Sequence, residues 1–182
     1  MPKMIHPADF KEVPWKNGKG LTREIYCIPH ESNSNLFNFR LSLATVTESA
    51  PFSIFPDTDR FLMLLEGSGF RLIFEDQADA VLDSPFDSLD FEGEENIFCE
   101  LLKGKCVDFN VMTNRSWGKS KVTSSLLKSG ESKKITAKVE TFVLLYGPSP
   151  LLIILGANEV YDIQASEHLV VIEISLTRKH FH

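Results

Sequence analysis

Trp15, Asn17, Thr22, Arg23 and Glu24 fall within one ten-residue stretch that also carries Gly18 and Gly20. An indole, an amide, a hydroxyl and an Arg-Glu couple set this close can wall and hydrogen-bond a small ligand. Glycine lets the backbone approach it. The stretch shows neither apolar alternation nor helical periodicity until Ile25-Tyr26-Cys27-Ile28 opens a strand. It reads equally well as a surface turn with glycine at positive φ. Arg40 and Arg60, like Arg23, lie in strand-like segments amid apolar neighbours rather than in a charge run. A guanidinium on the inner face of a barrel must meet a carboxylate, of the protein or of a ligand. Glu24, Asp59 and Asp108 are the internal candidates, so fold-fixing ion pairs and ligand contacts stand side by side. Asp108-Phe109-Asn110-Val111-Met112 alternates, which turns Asp108 and Asn110 toward the space that Arg40 and Ser42 face. Ser42, Ser53, Asn17 and Asn110 are the orienting hydrogen-bond groups for such a ligand.

Other chemistries fit less well. Small double-stranded β-barrels often hold a metal on two closely spaced His, a Glu and a later His. The equivalent segment, Pro51-Phe52-Ser53-Ile54-Phe55-Pro56-Asp57-Thr58-Asp59-Arg60, offers Ser, Phe and Arg instead. A guanidinium repels a cation. His180 and His182 have suitable spacing but lie at the chain end, and His6, His30 and His168 are isolated. No metal and no cofactor are expected. Ser42, Ser53 and the cysteines have no neighbouring sequence His with the marks of a triad, although such partners are spatial rather than sequential. Gly18-Lys19-Gly20-Leu21-Thr22 lacks the spacing and following helix of a phosphate loop.

The elements that must hold these groups are strands. Phe37-Asn38-Phe39-Arg40-Leu41-Ser42-Leu43-Ala44 sets large apolar residues at odd positions and polar or small ones at even positions. Phe61–Leu65, Glu66-Gly67-Ser68-Gly69 and Phe70–Phe74 predict a hairpin with a glycine-bearing turn. Further strands are predicted at 96–102 and 106–112. The second half echoes the first. Phe142–Gly147 resembles Phe61–Gly67, Leu151–Leu155 follows as Phe70–Phe74 does, and Leu169–Ile174 is matched with Ile97–Leu102. Two similar β-barrels in tandem are expected, joined in the Ser/Lys/Thr-rich stretch from Asn114 to Ser132. The division is 1–115, with the pocket, and 116–182, mainly structural.

The 182 residues include 14 Phe and are 43% apolar and 24% charged, ample for a buried core. A formal charge of −6 argues against nucleic acid as main partner. Met1 to Trp15 lacks the form of a signal peptide, and the apolar run 142–155 is broken by Gly147-Pro148-Ser149-Pro150. No membrane partner is expected. Cys27, Cys99 and Cys106, an odd number in strand-like contexts, fit a reducing cytoplasm.

Trp15-Lys16-Asn17-Gly18-Lys19-Gly20-Leu21-Thr22-Arg23-Glu24, Phe39–Ala44, Pro51–Arg60, Leu64–Gly69 and Asp108–Met112 together resemble, in order and spacing, the HutD/Ves family. The resemblance covers about residues 5 to 115 and continues weakly beyond. It implies an all-β bicupin, two cupin-type double-stranded β-barrels in one chain, in a bacterial cytoplasmic protein linked to histidine degradation or to stress. It also implies a pocket lined by Trp15, Asn17, Thr22, Arg40, Ser42, Ser53, Arg60, Asp108 and Asn110. The chain departs from the family at Asp57, where Gly is usual, and at Asn114-Arg115-Ser116, where a second Arg and a Gly are usual. The first expectation is a non-catalytic sensor of a carboxylate metabolite, urocanate or formylglutamate. A protein-interaction module ranks second, with self-association open, and a cupin-type isomerase or lyase without the usual metal ligands, metal-free or with a loosely held metal, third.

Overall fold

The structure, a computed structural model, describes residues 2–15, 20–33 and 36–179. Its seventeen strands run in chain order. They are β1 (Lys3–Ile5), β2 (Lys11–Pro14), β3 (Gly20–Pro29), β4 (Phe37–Val46), β5 (Ala50–Pro51), β6 (Thr58–Glu66), β7 (Phe70–Phe74), β8 (Ala80–Leu82) and β9 (Ser88–Glu92). The rest are β10 (Ile97–Leu101), β11 (Cys106–Asn114), β12 (Gly118–Leu127), β13 (Ser132–Thr136), β14 (Glu140–Tyr146), β15 (Leu151–Leu155), β16 (Val160–Gln164) and β17 (Leu169–Arg178). One 3₁₀ turn, Pro7–Asp9, interrupts them. The predicted all-β class is what the backbone adopts.

The described chain divides into two compact units, 11–117 and 2–10 with 118–179. The first unit holds a six-stranded sheet, β2-β3-β4-β11-β6-β9, and a four-stranded one, β5-β10-β7-β8. Its core gathers Leu62 and Leu64 of β6, Phe70, Leu72 and Phe74 of β7, and Ile97, Cys99 and Cys106. The second unit holds β1-β15-β14-β17-β12 and the pair β13-β16. Its core is aliphatic, built on Val143, Ile153, Leu155, Ile163 and Val171. The first ten residues therefore leave the N-terminal half, because β1 pairs with β15 through Lys3↔Ile154 and Ile5↔Leu152.

Two local expectations are corrected. Phe61–Phe74 is not a hairpin: β6 pairs with β11 and β9, whereas β7 pairs with β10 and β8. Gly67 (φ +99°) and Gly69 (φ +91°) turn the chain from one sheet to the other. A Cβ on Gly69 would lie 2.0 Å from the Leu82 carbonyl oxygen. The repeat also pairs differently. β17 lies between β12 and β14 as β11 lies between β4 and β6, so Leu169–Ile174 matches Cys106–Met112 rather than Ile97–Leu102. The stretch from Asn114 to Ser132 contains the boundary of the two units, between 117 and 118, and also the ten-residue β12. This strand pairs along its length with β17 alone, and half of its residues are exposed and only two buried, which explains its Ser, Lys and Thr.

Gly20 opens β3 at a crowded point: a Cβ there would lie 2.7 Å from the Thr45 carbonyl oxygen and 2.8 Å from the Trp15 ring. Gly20→Ala should therefore destabilise the protein by on the order of 1–2 kcal/mol through overpacking. A urea titration followed by circular dichroism measures this, and unchanged stability would contradict the crowding.

Candidate functional site

In β4, Arg40, Ser42 and Ala44 share one face, and the pairing Asn110↔Ser42 and Met112↔Arg40 brings β11 into step beside them. On the opposite faces Phe39, Leu41, Leu43, Phe109 and Val111 are all but fully buried. Their burial leaves the polar positions facing a cavity of about 430 Å³ in the first unit. Among the described residues, Trp15, Thr22, Arg40, Ser42, Ser53, Arg60, Asp108 and Asn110 all line it. Asn17, the ninth expected site residue, lies outside the described residues, as do His180 and His182.

Val13, Pro14, Ala44, Pro51, Phe52, Phe55 and Met112 complete the lining, and sequence reasoning had not placed them there. Alternation alone signals Ala44 and Met112, in step with Arg40 and Asn110. Phe52 and Phe55 sat within the Pro51–Arg60 motif but were read as failed metal ligands. Phe91 of β9 carried no signal, yet its ring lies 4.8 Å from the Arg60 guanidinium carbon.

Six of the polar residues are held by side-chain hydrogen bonds. The Trp15 indole Nε1 donates to Thr22 Oγ1 at 2.8 Å. Arg40 Nε donates to Glu24 Oε2 at 2.9 Å. This pairing follows from the alternation that turns Thr22 and Glu24 one way and Arg23 the other, and Arg23 is not among the lining residues. Arg60 is 6% exposed. Its Nη2 donates to Asn110 Oδ1 at 3.1 Å and its Nη1 to the Ser53 carbonyl at 3.4 Å. The rings of Phe52 and Phe55 lie 5.2 and 5.5 Å from the guanidinium carbon. Asn110 Nδ2 in turn donates to Asp108 Oδ1. Among the residues lining the cavity, two buried atoms have no hydrogen-bond partner, Arg60 Nε and Asp108 Oδ2.

Asp59, an expected partner of the inner arginines, instead meets Arg115 at 3.3 Å, because it occupies the face of β6 opposite Arg60. Arg115 also pairs with Glu94, whose Oε1 accepts the Asp57 N–H. Asp57 sits at φ 55°. That conformation suits the glycine usual there in the family, and Asp is among the side chains that tolerate it best. The two departures from the family pattern thus meet in one clasp, with Arg115 N–H also donating to the Asp57 carbonyl at 2.8 Å.

The electrostatics follow from burial. Desolvation pushes the Asp108 carboxyl up to about 7, although the Asn110 hydrogen bond and the Arg60 charge pull it down. Desolvation lowers Arg60 to about 10, partly offset by Asp108. Burial raises the Cys99 thiol to about 12 and raises Cys27 and Cys106 as well. All three thiols are free and stay neutral at physiological pH, which makes them poor nucleophiles. Among the described residues no group of three or more His, Cys, Asp or Glu is placed to hold a metal ion. None of their helices is long and apolar enough to cross a membrane. The arrangement is suited to holding a small anion against aromatic walls.

A family model described as HutD matches residues 7–174. The chain belongs to the HutD family. Among HutD relatives, an uncharacterized 21.2 kDa protein in the hutC 3′ region of Pseudomonas putida is 38% identical over 112 residues, 60% of this chain and 57% of that protein. Protein Ves of Escherichia fergusonii is 35% identical over 120 residues, covering 63% of this chain and 60% of the relative. The chain thus spans less than two thirds of the length of these curated relatives. The structure of HutD from Pseudomonas fluorescens SBW25 superposes with a TM-score of 0.77 at 22% identity, covering 99% of this chain and 100% of that one. At that identity the likeness speaks for the fold, which is cupin-type.

Proposed function

We propose that this HutD-family protein is a non-catalytic binder of a small carboxylate metabolite of histidine degradation, urocanate or N-formylglutamate, and modulates that pathway or a stress response. One observation carries the reading: two guanidinium groups with unspent donors line one cavity. Among the described residues, the hydrogen bonds of Arg40 use Nε alone, leaving Nη1 and Nη2, and Arg60 keeps Nε. A carboxylate seated between them takes charge-assisted hydrogen bonds. Trp15, Phe52 and Phe55 supply the apolar walls that favour a flat or compact body. The family name and the hutC neighbourhood of the Pseudomonas putida relative support the choice of pathway.

Titration calorimetry with the two metabolites tests it. At least one should bind with one-to-one stoichiometry. Arg40→Gln, which can still hydrogen-bond Glu24, should weaken binding about ten- to a hundredfold, the worth of a charged hydrogen bond. Wild-type protein giving no heat with either metabolite would overturn the proposal. One feature favours a second reading: a cavity carboxyl near neutrality, Asp108, has the properties of a general base. Turnover of either metabolite by purified protein, lost in Asp108→Asn, would replace the first reading with the second.

A further inference from the structure

Asp108 is the one anionic group in the cavity whose hydrogen-bonding capacity is half spent. Its residue is 1% exposed, Oδ1 accepts from Asn110, and Oδ2 has no partner. A buried carboxylate oxygen without a donor is costly, and a protein retains such a group where something else completes it. Among the described residues no group facing Asp108 does so: the Nε of Arg60, itself without a partner, is not hydrogen-bonded to Oδ2. From β6, Arg60 directs Nη2 to Asn110 and Nη1 to the Ser53 carbonyl. From β4, Arg40 is turned to Glu24 of β3, and Ser42 lies beside Asn110. Cys99 of β10 and Cys106 of β11 complete the surroundings; Cys106 Sγ is given to the Gly69 carbonyl, and neither thiol titrates at physiological pH.

We infer that Asp108 Oδ2 accepts an N–H of the ligand, so that Asp108 is the specificity-determining residue and the site selects carboxylates that also carry an N–H donor. This rests on the carboxylate reading above and adds its second contact. The ligand then spans the cavity, with its carboxylate at Arg40 and Arg60 and its N–H at Asp108. The contact is strongest with the ionised carboxyl, since protonation turns one oxygen into a donor and weakens the other as an acceptor. Binding of such a ligand is therefore linked to loss of the Asp108 proton, and affinity rises as pH passes through neutrality. A carboxylate without an N–H meets the opposite situation. Ionised Asp108 repels it, and its affinity falls over the same range. Arg60 stays protonated throughout, titrating only near 10.

Two isosteric probes separate these cases, 3-(pyrrol-2-yl)acrylate and 3-(furan-2-yl)acrylate, which differ by a ring N–H against a ring oxygen and do not titrate between pH 6 and 8. Calorimetry on the full chain should show the pyrrole probe at least tenfold tighter at pH 8 and near parity at pH 6, with affinities of opposite slope. In two buffers of different ionisation enthalpy at pH 7, the pyrrole probe should release protons and the furan probe should not. Asp108→Asn should flatten both slopes. If that variant fails to fold, the wild-type slopes and proton release decide alone. Equal affinities with parallel slopes would overturn the inference and leave the carboxylate site standing. Failure of both probes to bind would overturn the inference and the carboxylate reading together.

Discussion

Replacing Arg60 with alanine is expected to lower stability by about 2–4 kcal/mol, the range for deleting a large buried side chain that neighbours cannot refill. The guanidinium is packed among Phe52, Phe55 and Phe91, with the nearest ring centroid at 4.8 Å, so alanine leaves a void under three aromatic rings. The electrostatic part is the smaller one. Removing one member of a buried pair is severe when the other must stay charged. Asp108 escapes by binding a proton, which costs little at pH 7 for a carboxyl already near that value. Without Arg60 its titration should move higher still. Arg60→Met, which keeps most of the volume, separates the two effects: it should recover much of the stability while still losing carboxylate affinity. Urea denaturation and calorimetry on the two variants check this. Equal stability of wild type and Arg60→Ala would mean the guanidinium is not packed as described.

Asp108 should also make the unliganded protein less stable as pH rises from about 4 to 7. Its carboxyl is held near 7 in the fold against 3.8 in a free chain. Between those values the folded state binds more protons than the unfolded state, so stability is greatest below the window and falls through it. Over the whole window the loss amounts to about 4 kcal/mol. Glu94 runs the other way: its hydrogen bonds to Arg115 and to the Asp57 N–H hold it below the ordinary carboxylate value. The informative quantity is therefore the difference between wild type and Asp108→Asn, in which such common groups cancel. That difference should shift steadily against wild type from pH 4 to 7 and level off above. The fixed cost of exchanging the carboxyl for an amide does not vary with pH in this range. A difference independent of pH would show that Asp108 titrates normally.

Most of the cavity lining was legible because strands impose a period of two. Once Arg40 and Ser42 share a face, and Asp108 and Asn110 share another, one antiparallel pairing brings all four together with Ala44 and Met112. Pairing between distant strands was not legible. β6 and β7 are adjacent and apolar, as a hairpin would be, but two glycines at positive φ turn the chain between sheets. β12 was hidden by its polarity, which records an edge position rather than a loop. Phe91 reaches Arg60 only because β9 pairs with β6, through Arg60↔Phe91.

By itself the sequence determined the all-β class, the family and the chemical types gathered at the site, since alternation and motif order are properties of the chain. Tertiary structure decided what those types do. Arg40 is tied by one nitrogen to Glu24, Asp59 is drawn away to Arg115, and Arg60 is enclosed by rings from one loop and a strand distant in sequence. Asp108 is carried near neutrality because burial outweighs the nearby positive charge. Desolvation depends on every atom packed around a group, and no spacing along the chain encodes it.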